Sequence, residues 1–395
     1  MIGIFFLNEL LLSLHMQLSV IILNYNVKHF LEVCIKSVQK AIATLDAEII
    51  VVDNGSTDGS KDMMRDVFPD VTYLYQNTNA GFPKGNNIGV SVAKGTFICI
   101  LNPDTIVSEN TFTTLLNTHE SLINPGILGC LLIDGSGVFL PESKRSVPTP
   151  WVAFTKVFSL YKFFPNNKSF NKYYAQNVEQ YNTGAVDILV GAFMFLKRDV
   201  YLKVGGFDEG CFMYSDDIDL SYCVLKEGYQ NYYVGETSVI HFKGESTIKD
   251  GTYMKRFKGA MQFFYQKHFK KSVWFDGLMN VGIFFFALKK QSEKVEVKHL
   301  IDTYFIISKN IFVIDRIKKM GISVEVFNSV NEVPKKKLTK HVEVLVDSDF
   351  CTYLDYINFI KHHAKTNKTF KIRPENSNYF LGSNDKNDKG EILQF

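Results

Sequence analysis

The stretch that most limits the fold is Thr96–Thr105, TFICILNPDT. An unbroken apolar run of this length between turn residues reads as a strand buried on both faces. Gly95 precedes it, and Asn102-Pro103 ends it, because proline has no amide to give to a sheet ladder. Asp104 then falls just past the carboxyl end of a central strand, where open α/β sheets bind ligands. A carboxylate there suits a hard divalent cation. Asn-Pro-Asp is also an ordinary turn sequence, so the neighbouring segments decide between the two readings.

Those segments alternate. Leu18–Leu23 (LSVIIL), Glu48–Val52 (EIIVV) and Val71–Tyr75 read as further strands. Lys28–Ile42 places Phe30, Leu31, Cys34, Ile35 and Val38 at helical spacing. After the second strand, DNGSTDGS (53–60) runs into a helix start, with Ser, Thr and Asp suited to capping free amides. NAGFPKGNNIG (79–89) is a Gly- and Asn-rich loop entering another helix. This βαβ rhythm predicts a parallel sheet. Right-handed crossovers then bring the strand ends Asn24, Asp53 and Asp104 to one edge. Amide and carboxylate groups for a base and ribose, a cation-binding acid and a loop of backbone donors form an inventory for a nucleotide diphosphate. No Gly-x-Gly-x-x-Gly follows the first strand and no Gly-x-x-x-x-Gly-Lys-Ser/Thr occurs, which excludes the dinucleotide and P-loop readings.

Composition narrows the class. The 395 residues are 46% hydrophobic and 22% charged, with a net charge of +3, giving no overall case for nucleic-acid binding. The six cysteines are scattered without a Cys-x-x-Cys pair, which points to a reducing cytosol rather than a disulfide framework or zinc site. Residues 1–15 lack a basic start and a small-residue cleavage site, so they do not read as a signal peptide. They read as a loose amphipathic extension, or as residues ahead of a true start at Met16.

SVIILNYN (19–26), VVDNGSTDGS (51–60), NAGFPKGNNIG (79–89) and LNPDT (101–105), in that order, resemble the family 2 glycosyltransferases of GT-A fold. The likeness covers about residues 17 to 250. It implies an open mixed sheet with helices on both faces that transfers sugar from a nucleotide diphosphate. Asn24, Tyr25, Asp53, Asn54, Asn79, Gly81, Asn86 and Asn87 are then the expected nucleotide-binding residues.

Further along, VDILVGAFMFL (186–196) is strand-like with Gly191-Ala192 in it, a small-residue turn that the resemblance sets near the donor sugar. Arg145 lies in a Pro-bounded loop, KRSVPTP. Three carboxylates in SDDIDL (215–220), Asp216, Asp217 and Asp219, stand at a helix start. Mutual repulsion raises a carboxyl pKa, and such a group beside a hydroxyl suits a general base. A helix cap needs only one of them. In the resembled Glu-Asp-x-Asp-Leu motif, Asp217 matches the catalytic base, Asp219 the following acid, and Asp216 stands where Glu is usual. His241, after an apolar pair, matches a position that completes the metal site with Asp104 in many relatives. A ligating His241 is neutral, so activity is expected to fall at acid pH. Lys243, at the head of KGEST (243–247), is expected to pair with the donor phosphates. The cofactor so implied is Mg²⁺ or Mn²⁺. Glu227–Val234 reads as a turn and a strand, with a second turn at Gly235-Glu236 before Val239–Phe242.

Trp151–Tyr174 mixes aromatics with lysines and fits either an acceptor- or membrane-facing helix or a core helix with a solvated lysine face. Tyr253–His268 reads as a helix, and LMNVGIFFFAL (278–288) is too short to span a bilayer, which takes about 20 apolar residues. It suits an interfacial anchor or a buried helix. Strand and helix patterns then resume at 303–308, 311–320, 323–327, 342–348, 353–364 and 370–373, a small α/β unit that resembles a Rossmann-like appendage of some of these transferases. Its polar run 384–390 leaves that unit looking incomplete. The organisation expected is an extension (1–16), a GT-A domain (17–250), a helical, membrane-associated segment (251–295) and a C-terminal α/β domain (296–395).

The pattern is nearest to rhamnosyltransferase-like enzymes of bacterial surface polysaccharide synthesis. It implies an inverting, metal-dependent transfer of rhamnose, another deoxysugar or another hexose to a glycan or lipid-linked glycan. The protein would be cytoplasmic, peripheral on the inner membrane, with no nucleic-acid partner. The competing readings are a polyprenyl-phosphate sugar transferase, whose metal strand usually ends in a DxD where this chain has Asn102-Pro103-Asp104, and a silent glycan-binding module.

Overall fold

The computed structural model describes residues 16–149, 151–152, 172–243, 251–269, 300–384 and 390–395, without the side chains of 251–258. Residues 1–15, most of the 151–174 stretch, the 244–247 loop and the 278–288 run lie outside the described residues.

The first unit begins with β1 (Leu18–Asn24), α1 (Lys28–Ala41), β2 (Ala47–Asp53), α2 (Ser60–Val67), β3 (Thr72–Tyr75), α3 (Phe82–Val92) and β4 (Phe97–Leu101). Strands β1 to β4 pair in parallel in the order β3-β2-β1-β4, as the alternation predicts. β1 is buried along its whole length, and so is β4 from Ile98 onward. Their side chains alternate between two apolar cores. Ile21, Ile50, Ile98 and Ile100 point to one face. Val20, Ile22, Val51 and Cys99 point to the other, under α1. Gly59 precedes α2 at φ +86° and no side chain there caps the helix. Asp58 instead accepts the Ser60 amide at 3.0 Å and the Lys28 amide at 2.7 Å.

The chain then adds β5 (Thr105–Ile106), α4 (Thr111–Ser121), β6 (Pro125–Ile133), β7 (Lys144–Arg145), β8 (Gly184–Val186), β9 (Ile188–Leu189), β10 (Phe193–Lys197), α5 (Arg198–Lys203), α6 (Asp216–Lys226), β11 (Gln230–His241) and α7 (Gly251–His268). β10 runs antiparallel between β4 and β6, and β11 joins β6 in parallel and carries β5 and β8 on its edge, so the sheet is mixed. The strand-like 186–196 stretch is interrupted between β9 and β10 at the small pair Gly191-Ala192, where the resemblance sets a turn. One sequence expectation changes. The turn expected at Gly235-Glu236 is absorbed into one strand as a register shift between Val234 and Ser238, three residues of β11 bulging out against consecutive residues of β6 before the pairing resumes and runs on to His241.

The second unit is a six-stranded sheet. β12 (Thr303–Ile307), α8 (Ile311–Lys318), β13 (Ser323–Phe327), β14 (Val342–Asp347), α9 (Tyr353–His363) and β15 (Lys368–Arg373) form the parallel part, ordered β13-β12-β14-β15. The sheet does not stop there: β16 (Tyr379–Gly382) and β17 (Glu391–Gln394), on either side of the polar run, add antiparallel strands. α8 covers one face through Val313 and Ile317. α9 lies on the other, and its Tyr356, Ile357 and Ile360 share one apolar core with Ile240 and Phe242 of the first unit.

The units are also joined by polar contacts. The Glu109 carboxylate accepts the first amides of α9, Tyr353 N at 2.8 Å and Leu354 N at 2.9 Å. Tyr379 donates its hydroxyl to Glu32 at 2.6 Å. Gly135 sits where a Cβ would lie 2.4 Å from the Ser383 carbonyl oxygen, so only glycine permits this approach. No helix among the described residues is long and apolar enough to cross a membrane.

Candidate active site

The carboxyl ends of β1 and β2 meet as predicted. Asn24 donates to Asp53 at 2.7 Å and to Ser56 Oγ at 3.0 Å, and Ser56 N returns a bond to Asp53 at 2.7 Å. Asn54 donates to the Gly81 carbonyl at 3.1 Å and to Asn79 at 3.4 Å, while Gly81 N bonds Asn79 at 3.0 Å. The amide oxygens of Asn24, Asn54 and Asn86 are nonetheless buried without a donor. Leaving one such group unmet costs about 1–3 kcal/mol, so three along one edge mark where outside donors are needed. Tyr25 stands 37% exposed beside them. Asn87 is differently engaged. Its amide bonds Phe207 O and Glu209, and its oxygen accepts from Tyr201 and Phe207, tying α3 to the 201–209 segment.

Next along the edge, Asp104 follows β4 and His241 ends β11. The β5–β11 ladder pairs His241 with Thr105, and Phe242 N bonds the Asp104 carbonyl at 3.0 Å. This brings His241 Nε2 to 3.4 Å from Asp104 Oδ1. Both side chains are buried, and Asp104 Oδ1 and His241 Nδ1 have no hydrogen-bond partner. Asn102 Nδ2 lies 3.3 Å from His241 Nε2. A desolvated carboxylate oxygen without a hydrogen-bond partner, facing an imidazole nitrogen, is a donor set that fits a divalent cation.

The 190–192 turn connects this pair to the acids of α6. Asn102 N bonds the Ala192 carbonyl at 3.0 Å, and Gly191 N bonds Asp217 Oδ2 at 3.2 Å. A Cβ on Gly191 would lie 3.5 Å from Phe82 and 3.3 Å from Asp217, so this turn also touches the 79–89 loop. Asp217 Oδ2 receives Arg145 at 2.5 Å, and Oδ1 receives its neighbour Ile218 N at 2.8 Å. Arg145 further donates to Leu189 O at 3.1 Å. Burial works against the Arg145 charge, yet the Asp217 carboxylate holds its pKa above the usual arginine value. Asp216 is buried beside Asp217. Burial first, and the Asp217 charge second, push its carboxyl up to about 7. The three acids have separate surroundings. Asp219 faces α7, where Lys267 at 2.8 Å and His268 at 2.6 Å both reach it.

Lys243 takes a left-handed backbone, φ +62°, and pairs with Glu142. The arginine and this glutamate are partners that sequence reading did not assign. Both come from the Pro-rich segment after β6, whose turn residues carry no periodic signal. Arg145 was noticed there only as a loop residue. The contact that gives it meaning spans 72 residues.

Residues 19–205 match the domain described as Glycosyl transferase family 2. Among curated relatives, the N-acetylglucosaminyl-diphospho-decaprenol L-rhamnosyltransferase of Mycobacterium tuberculosis is 28% identical over 215 residues, 51% of this chain and 68% of that protein. The rhamnosyltransferase WbbL of Escherichia coli is 30% identical over 169 residues, 41% of this chain and 61% of that protein. Among solved structures, the mannosyltransferase PcManGT from Pyrobaculum calidifontis aligns with a TM-score of 0.45 at 16% identity, over 71% of this chain and 77% of that one.

Proposed function

Residues 19–205 form a family 2 glycosyl transferase domain, the chain is a glycosyltransferase, and from that premise we propose an inverting, metal-dependent sugar transfer from a nucleotide diphosphate. The observation that carries this reading is the partnerless Asp104 oxygen 3.4 Å from His241, one turn away from Asp217. Asn24 and Asn54, through their unmet amide oxygens, hold the nucleotide together with Asp53 and the 79–81 loop. Asp104 and His241 hold Mg²⁺ or Mn²⁺. A cation bound there supplies positive charge against the leaving diphosphate. Gly191 and Ala192 line the approach to the sugar, and Lys243, exchanging Glu142 for phosphate, adds charge there.

Asp217 is the base. An ionised carboxylate offers about four lone-pair sites. Arg145 and Gly191 occupy Oδ2, and Ile218 N takes one on Oδ1. The remaining Oδ1 lone pair accepts the proton of the acceptor hydroxyl as that oxygen attacks the sugar carbon from the face opposite the diphosphate. Inversion needs one such carboxylate, not a glycosidase pair. The relatives' names favour a deoxysugar donor such as rhamnose and a glycan or lipid-linked glycan acceptor, met at the inner face of a membrane.

The test is turnover of a panel of nucleotide sugars with Mg²⁺ or Mn²⁺, wild type beside Asp217→Asn. One donor should be consumed, and the variant should lose about 10²- to 10⁴-fold in turnover while still binding nucleotide. Full activity in the variant overturns the base assignment. Failure of every donor to bind with either metal overturns the donor reading.

A further inference from the structure

The net charge of +3 conceals a polarised second unit. The loop entering β14 and the last turn of α8 both lie at the amino-terminal end of its parallel strands. Asp302 N bonds the His341 carbonyl at 2.9 Å, Asn367 donates to Leu338 O at 3.2 Å, and Lys368 donates to Lys336 O at 2.9 Å. This end gathers Lys318, Lys319, Lys335, Lys336, Lys337 and Lys340, all exposed. None has an ion-pair partner among the described residues. Of the acids near this end, Asp302 is engaged with the His341 amide at 2.8 Å and Glu343 with Lys371, while Asp315 is exposed one turn before Lys318 and Lys319. Asp347, Asp349, Asp355 and Glu375 sit at the opposite, carboxyl end of the same strands. Leu300, 89% exposed, stands just ahead of β12, at the same end of the sheet.

Helix C-termini attract cations, which accounts for Lys318 and Lys319. It does not account for the loop lysines 335–337 and 340. We propose that this lysine-covered end is a docking surface for an anionic lipid bilayer. Clustered lysines with an exposed apolar residue among them match the chemistry of such a surface, where both charge and shallow apolar insertion contribute. A nucleic acid offers the charge but no apolar phase for Leu300. The inference rests on the reading that the enzyme meets its acceptor at a membrane. It is measured separately from turnover.

The experiment is sedimentation of the full chain with vesicles of phosphatidylcholine alone or mixed with phosphatidylglycerol, at low and high salt. Wild type should pellet with the mixed vesicles only, and less so in high salt. Each lysine at an anionic surface contributes about fivefold in affinity. The variant Lys335→Gln/Lys336→Gln/Lys337→Gln/Lys340→Gln should therefore weaken binding by more than about tenfold, with melting and donor consumption in solution unchanged. Lys318→Gln/Lys319→Gln, on another segment of the same end, should move binding in the same direction should the first variant misfold. Equal binding of both variants and wild type, no binding to either vesicle, or binding of these lysines to nucleic acid but not to vesicles overturns the proposal. Lost turnover with intact vesicle binding instead counts against the donor site and leaves this surface standing.

Discussion

Asp216→Asn removes a buried acid and keeps its shape. In the folded protein the Asp216 carboxyl is raised from 3.8 to about 7, first by burial and then by the adjacent Asp217 charge. Between about pH 4 and pH 7 the folded state keeps a proton that the unfolded chain has released. Stability contributed by this group therefore falls as pH rises through that window. The loss is complete above it. About three pH units at about 1.4 kcal/mol each give at most about 4 kcal/mol of destabilisation at alkaline pH. Asn mimics the neutral acid, so the variant should melt with wild type near pH 4 and clearly above it near pH 8. For a domain of this size each kcal/mol moves the midpoint by about 2–4 °C. The assay is thermal melting of both proteins across pH 4–9. Titrating groups remote from Asp216 are common to the pair and cancel in the difference, so the pH dependence of the difference reports Asp216 and its neighbour Asp217. An offset that stays constant with pH would refute the reasoning, because it would mean that Asp216 does not hold its proton in the fold.

Arg145→Met should be costly in a different way. It leaves Asp217 buried without its cation, a change worth about 3–5 kcal/mol, and both melting and turnover should drop. Combining it with Asp217→Asn should restore much of the stability and none of the activity, a pattern that separates the ion pair from the chemistry. Glu109→Gln keeps the shape of the cap on α9 and removes its charge. It should lower stability by about 1 kcal/mol and make the second unit more open to protease, read by limited proteolysis. Unchanged proteolysis would show that the Glu109 charge does not hold the units together.

Much of the first unit is legible in the chain. The strand of Phe97–Leu101 and its relatives are unbroken β-branched and apolar runs with turn residues at both ends, and local physics of that kind survives into the fold. The same holds for α1, where Phe30, Leu31, Cys34, Ile35 and Val38 are all buried. The bulge in β11 was read as a turn because Gly235-Glu236 looks like one locally. Pairing with β6 on one side and β5 on the other overrides that preference. The break between β9 and β10 falls at Gly191-Ala192, a turn that only the family resemblance points to, since Gly-Ala inside an apolar run carries no polar signal.

The candidate site divides along the same line. Which residue types stand at the strand ends follows from sequence, because each strand is terminated by its own polar residues: Asn24, Asp53 and Asp104. Their meeting with His241 and Asp217 depends on strand order, with β10 reversed between β4 and β6, and no local pattern encodes that. The Arg145 partnership, the elevation of Asp216 by burial, the continuous core joining the two units and the segregation of lysines to one end of the second sheet are likewise tertiary facts. Sequence determined the elements and the chemistry at their ends, since hydrogen bonding and burial act within a few residues. The tertiary structure decided which of those ends face one another, since charge and desolvation depend on distance in space.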